Sequence, residues 1–405
     1  MVKSRQLSNW AESFLEYTSI LPSPEIFRRW TAYVTIAGAL DRRVWTEIQG
    51  LEMYPNLFVI LTGPPAAGKS VSVSEAKRLW VETKLFNVAP SGMTKAAFID
   101  QMIHKTHSFV VDGHTRMCNT MLVPAPEFSH LMPDYDAKFT SVVNDAYDCN
   151  PTLEDRTRGG KQLIVVNRPC VSILAGTTPQ FLGNLFPDRA YGEGFVSRII
   201  MIYSSLRVKK KMFKKARRDK LLGAHLLNDL ILIGSPELTG AFEWASEAED
   251  SVEYWNEHLE EDAPRHPRLQ NYNKRRIAHT VKLSMCFSIA RNNELDVTME
   301  DYTLARKMLE QAEHLMPEIF KEMASSEDAS ELKEIHQFIF GYCRNNEVEM
   351  IPENKLIQYM SLRIPVNRIS YFIETMLQTD SIKAERPKAS GPKFFRPLSG
   401  TVYDE

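Results

Sequence analysis

The stretch that most constrains this chain is NLFVILTGPPAAGKS, residues 56–70. Its first part is a nearly continuous apolar run, as expected of a strand buried on both faces of a parallel sheet. Gly63-Pro64-Pro65-Ala66-Ala67-Gly68-Lys69-Ser70 then completes the pattern G-x-x-x-x-G-K-[ST]. The helical stretch VSVSEAKRLWVETKLF follows. Strand, glycine-bearing loop and helix N-terminus together form a cradle for phosphate. Backbone N–H groups of the loop and of the first helical turn, as far as Val71, are placed to point at phosphate oxygens. Gly68 permits close backbone approach, Lys69 suits the β- and γ-phosphates, and the Ser70 hydroxyl suits Mg²⁺. A nucleotide with Mg²⁺ is therefore the expected ligand, and the loop alone suits a kinase, a GTPase or a motor. A chance match in a turn would lack the flanking strand and helix.

The remaining composition sets limits. A chain of 405 residues holds two or three domains. Net charge is −2, so nucleic-acid binding would have to come from local patches. Cys118, Cys149, Cys170, Cys286 and Cys343 are scattered, without a CxxC pair or zinc spacing. They read as reduced thiols of a cytoplasmic protein. The N-terminal residues have no apolar signal core, and no apolar run is long enough to span a bilayer.

Strand candidates recur after the loop at 108–111 (SFVV), 120–123 (TMLV), 171–175 (VSILA) and 198–203 (RIIMIY). Helical patterns such as KAAFIDQMIHK and FTSVVNDAYD separate them. The expectation is an α/β fold, a three-layer αβα core around a mostly parallel sheet. Before it, WAESFLEYTSIL and EIFRRWTAYVTIAGALDRRV read as two helices punctuated by Pro22-Ser23-Pro24. After it the strands stop, and nine Lys or Arg lie between Arg207 and Lys220. A helical region follows, and SSEDAS at 325–330 reads as a linker. The expected parts are an N-terminal helical segment (1–50), the core (51–205), a helical lid (206–325) and a winged helix-turn-helix (326–405). The last rests on three short helices and a hairpin around Ser390-Gly391-Pro392.

Phosphate chemistry needs a carboxylate at a neighbouring strand end, to hold Mg²⁺ or activate water. Glu127 in VPAPEFSHL is favoured, with Asp112 in SFVVDGH as its rival. Thr178, or Thr177, in SILAGTTP is a candidate for the γ-phosphate or attacking water; capping of backbone is the plainer role. Arg198, opening the strand RIIMIY, is a candidate finger toward an adjacent subunit's nucleotide, or else one side of a salt bridge. Arg275 and Arg276 are candidates for a second sensor.

PTLEDRTRGGKQLIVVNR, residues 151–168, reads as a hairpin with a basic tip at Arg158 and Lys161. A lysine there would pair with nucleic-acid phosphates whatever their sequence. In the tail, Arg363, Asn367 and Arg368 open the third helix, and Lys388, Lys393 and Arg396 surround the wing. Arg368 and Lys393 are the favoured DNA contacts there. The run 207–220 is also cationic enough to attract DNA.

GPPAAGKS, APEFSHL, DRTRGGKQ, SILAGTTP and GFVSRII, in that order before a helical region, resemble AAA+ ATPases of the pre-sensor-hairpin clade. That clade holds superfamily 3 and minichromosome-maintenance helicases. PSPEIFRRWTAYVTIAGALDRRVW with YPNLFVILTGPPAAGKS is more specifically similar to phage and mobile-element proteins described as primase-helicase-like. The similarity covers about Pro22 to Pro317. It implies ATP-driven DNA unwinding by a homo-oligomeric ring, a hexamer, with single-stranded DNA in the pore at Lys161 and no membrane partner. The usual Asp-Glu pair is here Pro126-Glu127, and no primase-like metal constellation accompanies it.

Overall fold

A computed structural model describes residues 4–156, 163–192, 194–210, 218–259, 261–386 and 392–398. It is a mixed α/β structure that divides into two compact units, Met1–Lys321 and Glu322–Glu405. The three N-terminal parts expected from sequence are thus one unit.

The chain begins with helices α1 (Trp10–Thr18) and α2 (Glu25–Leu40). Asn9 caps α1 by accepting the Glu12 N–H. Helix α2 stops at Leu40 rather than continuing to Val44, because Asp41 takes the left-handed value φ 63°. The Asp41 carboxylate accepts from Arg42 N at 2.8 Å and from Thr120 Oγ1 at 2.9 Å. Arg42 and Arg43 are buried, and both donate to main-chain carbonyls, Pro169 O at 2.8 Å and Ala39 O at 2.6 Å among them. Strands β1 (Val44–Ile48) and β2 (Leu51–Met53) then form a hairpin whose turn, Gln49-Gly50, has φ of 51° and 76°. Two successive positive φ values match the twist of a two-residue hairpin loop.

The central sheet contains β3 (Phe58–Thr62), β4 (Thr106–Val111), β5 (His114–Ala125), β8 (Cys170–Thr177) and β9 (Ile199–Tyr203) in the order β4-β5-β8-β3-β9. Strands β5, β8, β3 and β9 are parallel, and β4 runs antiparallel on the edge. Every residue of β3, β8 and β9 is buried, which explains their largely apolar texture. Helix α3 (Lys69–Thr83) leaves the end of β3, and α2 packs against it. Gly38 of α2 makes room for this: a Cβ there would come within 2.9 Å of Trp80 and 2.7 Å of Leu122. This packing, with α2 also against the helix Arg276–Arg291, is why 1–50 does not stand apart.

Strands β6 (Thr152–Arg156) and β7 (Leu163–Asn167) pair antiparallel as a separate hairpin, as the sequence leads one to expect. Its tip, with Arg158 and Lys161, lies outside the described residues.

A helix spanning Met299–Asn345 runs straight through 325–330. SSEDAS is therefore helical rather than an irregular linker, since it lacks Gly and Pro and nothing in it prevents helix. The boundary between the two units falls just before it, at Lys321–Glu322. The second unit contains helices Glu353–Met360 and Val366–Gln378 and a three-stranded sheet. In that sheet Phe394–Pro397 pairs antiparallel with both Ile382–Glu385 and Ile351–Pro352. Its core is built on Ile339, Leu356, Met360, Phe372, Met376 and Phe395.

Candidate functional site

The Gly63–Ser70 loop leaves the carboxyl end of β3, a strand flanked on both sides by parallel neighbours. Gly63 N donates to Thr177 O at 3.3 Å, tying the loop to the end of β8. A Cβ on Gly63 would lie 2.2 Å from Ser204 O, and one on Gly68 2.2 Å from Pro22 O. Gly68 also has φ 85°, a value that disfavours any side chain. Pro64 O accepts the Ala67 N–H at 3.3 Å, and Ala66 takes φ 62° to close the curve. The loop is thus held between β8, the segment after β9 and the α1–α2 connector. Ser23 Oγ, in that connector, is 2.8 Å from Ser72 Oγ of α3. The connector's proximity to the loop was not foreseen from sequence.

Gly68 is the N-cap of α3, and the amides of Lys69, Ser70 and Val71 open the helix. Such first-turn amides lack intrahelical acceptors and attract anions. The Lys69 side chain is buried and curls back, its Nζ donating to Gly63 O and Pro64 O at 2.7 Å each. Burial lowers its pKa, and the nearby Glu127 carboxylate opposes that shift. Ser70 Oγ lies 3.4 Å from both Pro126 O and Glu127 Oε1, just beyond the end of β5. Gly176 of β8 permits this approach, since a Cβ there would come within 2.7 Å of Pro126 O.

The other sequence-derived candidates fall at different places. Asp112 sits with Gly113 in the turn joining β4 to β5, with φ of 51° and 75°. It therefore precedes the 12-residue β5, whose extended length of roughly 40 Å separates it from Glu127. Asp112 is not beside the loop; Asp-Gly is simply the turn chemistry of a tight hairpin. Thr178 does stand at the loop end of β8. Its hydroxyl accepts the Phe181 N–H at 3.3 Å and so caps the helix Pro179–Leu185.

Arg198 precedes β9, whose register pairs Phe58 with Ile199 and Thr62 with Tyr203. It therefore stands at the amino ends of the parallel strands, opposite the loop. Its side chain is 10% exposed and grips Asp148, with Nε 3.0 Å from Oδ1 and a terminal nitrogen on Oδ2. A further nitrogen donates to Gly194 O at 2.6 Å. Arg275 meets the same carboxylate at 3.7 Å, beyond hydrogen-bond distance. Burial, and then the charge of Arg198, lower its pKa against the pull of Asp148. Arg276 is different: it is fully buried, forks onto Glu313 and lies 4.9 Å from the Trp255 ring.

Two further groups behind Arg275 were missed from sequence. His279 Nε2 donates to Ser197 O at 3.1 Å, so its Nδ1 accepts from Tyr147 Oη at 3.4 Å. Burial drives the His279 pKa down to about 3. Lys282 Nζ donates to Asn56 Oδ1 at 2.6 Å and lies 4.2 Å from the Tyr147 ring, its pKa lowered by burial. Helical spacing from Arg275 was the available signal, since positions three and four apart share a face.

In the second unit, Arg368 pairs with Asp328 at 2.5 Å and Arg363 with Glu334 at 2.6 Å. Lys393 Nζ lies 5.1 Å from the Phe395 ring centroid. Lys388 lies outside the described residues. Leu362 and Val366, at the turn into the helix Val366–Gln378, are 83% and 76% exposed. Among the described residues no helix is long and apolar enough to cross a membrane. Searches with family models and against curated proteins return no match for this chain.

Proposed function

We propose that this protein is an ATP-hydrolysing P-loop enzyme with an AAA+-type core and a C-terminal winged helix. In this reading it works as a homo-oligomeric ring, a hexamer, that unwinds or translocates DNA in phage or mobile-element replication within a host cytoplasm. One observation carries the reading: Ser70 and Glu127 converge under a glycine-bounded loop at the carboxyl end of a central parallel strand. Open α/β sheets hold their ligands at that end.

The loop amides and the N-terminus of α3 bind the triphosphate. Lys69 exchanges its two carbonyl acceptors for β- and γ-phosphate oxygens. Hydroxyl and carboxylate oxygens at Ser70 and Glu127 suit a hard cation that retains waters, as Mg²⁺ does. Mg²⁺, when bound there, neutralises charge building between the β- and γ-phosphates. Glu127 is exposed and free to orient a water for in-line attack, and the Thr178 hydroxyl retains a proton to donate while capping its helix. Arg198 serves the neighbour's nucleotide, Arg158 and Lys161 grip the strand in the pore, and Arg368 and Lys393 contact duplex.

A helicase loader or replication initiator is a second reading, favoured by exposed Leu362 and Val366 where a recognition helix would begin. Apolar residues there suit a protein partner better than a phosphate backbone. DNA-stimulated ATP hydrolysis with strand displacement supports the first reading; hydrolysis without displacement supports the second. A wild-type protein that neither binds nor hydrolyses ATP, while its Lys69→Ala variant behaves identically, overturns both.

A further inference from the structure

We propose that Asp148 is a positioning residue that holds Arg198 and Arg275 as a paired cation site for the phosphates of a neighbouring subunit's nucleotide. The proposal rests on the shared-site reading above and assigns a division of labour within it.

Asp148 is the C-cap residue of the helix Ala137–Tyr147. A carboxylate at the negative end of a helix is locally unfavourable. Cations must offset that cost, and two guanidinium groups meet there. The two are held differently. Arg198 is almost buried, with both carboxylate oxygens and Gly194 O occupied. Arg275 is 32% exposed, lies 3.7 Å from Oδ1, and lines a cavity of about 300 Å³ with Asp148, Cys149 and Lys282. Asp145 is the other carboxylate nearby; it accepts from Asn150, and burial with the charge of Asp148 raises its pKa. Arg198 is therefore the fixed member of the pair, and Arg275 keeps donors for an incoming phosphoryl oxygen.

A salt bridge serving only stability would account for Arg198 and Asp148. It leaves unexplained why one helix carries Arg275 and also clamps the residues preceding both partners. His279, one turn beyond Arg275, holds Ser197 by its carbonyl and Tyr147 by its hydroxyl. Three distant segments are thereby fixed with their charged groups converging at the amino ends of the strands. That is the arrangement of a site whose geometry matters more than its burial.

The test is complementation in mixed oligomers. Lys69→Ala subunits keep the arginine edge but lose their own loop. Arg198→Ala/Arg275→Ala subunits keep the loop but lose the edge. Mixing them restores ATP hydrolysis if the site is shared. Adding Asp148→Asn to the Lys69→Ala subunit then lowers the recovered kcat about 10-fold or more, with KM changed less than about twofold. Should Asp148→Asn not fold, Asp148→Glu carries the test, because it keeps the charge and moves it by one methylene. It lowers kcat in the mixture while the melting temperature stays near that of the parent. Equal recovery with and without the Asp148 substitution overturns the proposal and spares the shared site. No recovery in the first mixture overturns the shared site, and the proposal with it.

Discussion

Ser70 Oγ and Glu127 Oε1 lie 3.4 Å apart across 57 positions of the chain. The contact brings a hydroxyl from the first turn of α3 against a carboxylate just past β5, on the side of the sheet where the loop opens. If Glu127 orients water, replacing it with Gln leaves the loop, its amides and Lys69 in place. Glu127→Gln should then bind ATP with an affinity near wild type and hydrolyse it about 10²–10⁴-fold more slowly. Equilibrium nucleotide binding and steady-state turnover check both halves. A variant with full turnover removes Glu127 from the chemistry.

Gly68 joins the loop to the N-terminal connector. Its φ of 85° and the 2.2 Å separation of a hypothetical Cβ from Pro22 O leave no room for alanine. Gly68→Ala should lower the stability of the first unit by about 1–3 kcal/mol. It should also loosen Pro22–Ser23, exposing that connector to limited proteolysis. Denaturant unfolding and cleavage mapping measure the two effects. Wild-type stability in the variant means that the connector does not pack on the loop as described.

The local parts of this architecture were legible in the sequence, because strand, loop and helix around Gly63–Ser70 are specified by neighbours in the chain. The β6–β7 hairpin was legible for the same reason. Relationships between distant segments were not. Asp112 looked like a strand-end acid until Asp112-Gly113 proved to be a hairpin turn, a signal the dipeptide itself carries. Helix α2 read four residues too long, since nothing local announces that Asp41 will take a left-handed φ. Asp148 gave no sequence signal, because its partners lie at positions 198 and 275. Arg275 and Arg276 are adjacent and chemically identical; only the fold buries one against Glu313 and turns the other toward Asp148.

That difference gives a stability prediction. Arg276 and Glu313 are both buried, and Tyr272 Oη adds a hydrogen bond to Glu313 at 3.1 Å. Burial raises the Glu313 pKa, and Arg276 opposes the shift. Removing one partner leaves a buried charge without its counter-ion. Arg276→Met should therefore cost about 3–5 kcal/mol, and Arg276→Met with Glu313→Leu should recover most of it. A double variant no more stable than the single one excludes an isolated buried pair. Additivity within about 0.5 kcal/mol would show that the two groups are not coupled.

His279 supplies a pH dependence whose sign follows from its burial. The unfolded side chain takes up a proton near pH 6.5, whereas the folded one does so only near pH 3. Between those values the unfolded state holds the extra proton, so stability rises with pH. The full contribution is present above about pH 6.5 and falls by up to about 1.4 kcal/mol per pH unit below it. Protonation would also place a positive charge beside Lys282, Arg275 and Arg198, which disfavours the charged form, whereas the Ser197 carbonyl opposes the shift. His279→Gln can still donate to Ser197 O but does not titrate. Its unfolding free energy should therefore depend less steeply on pH than that of wild type between pH 6.5 and 4. Other groups contribute to both curves, so the informative quantity is the difference between them. Parallel curves over that range would mean that His279 is not held neutral against Ser197 and Tyr147.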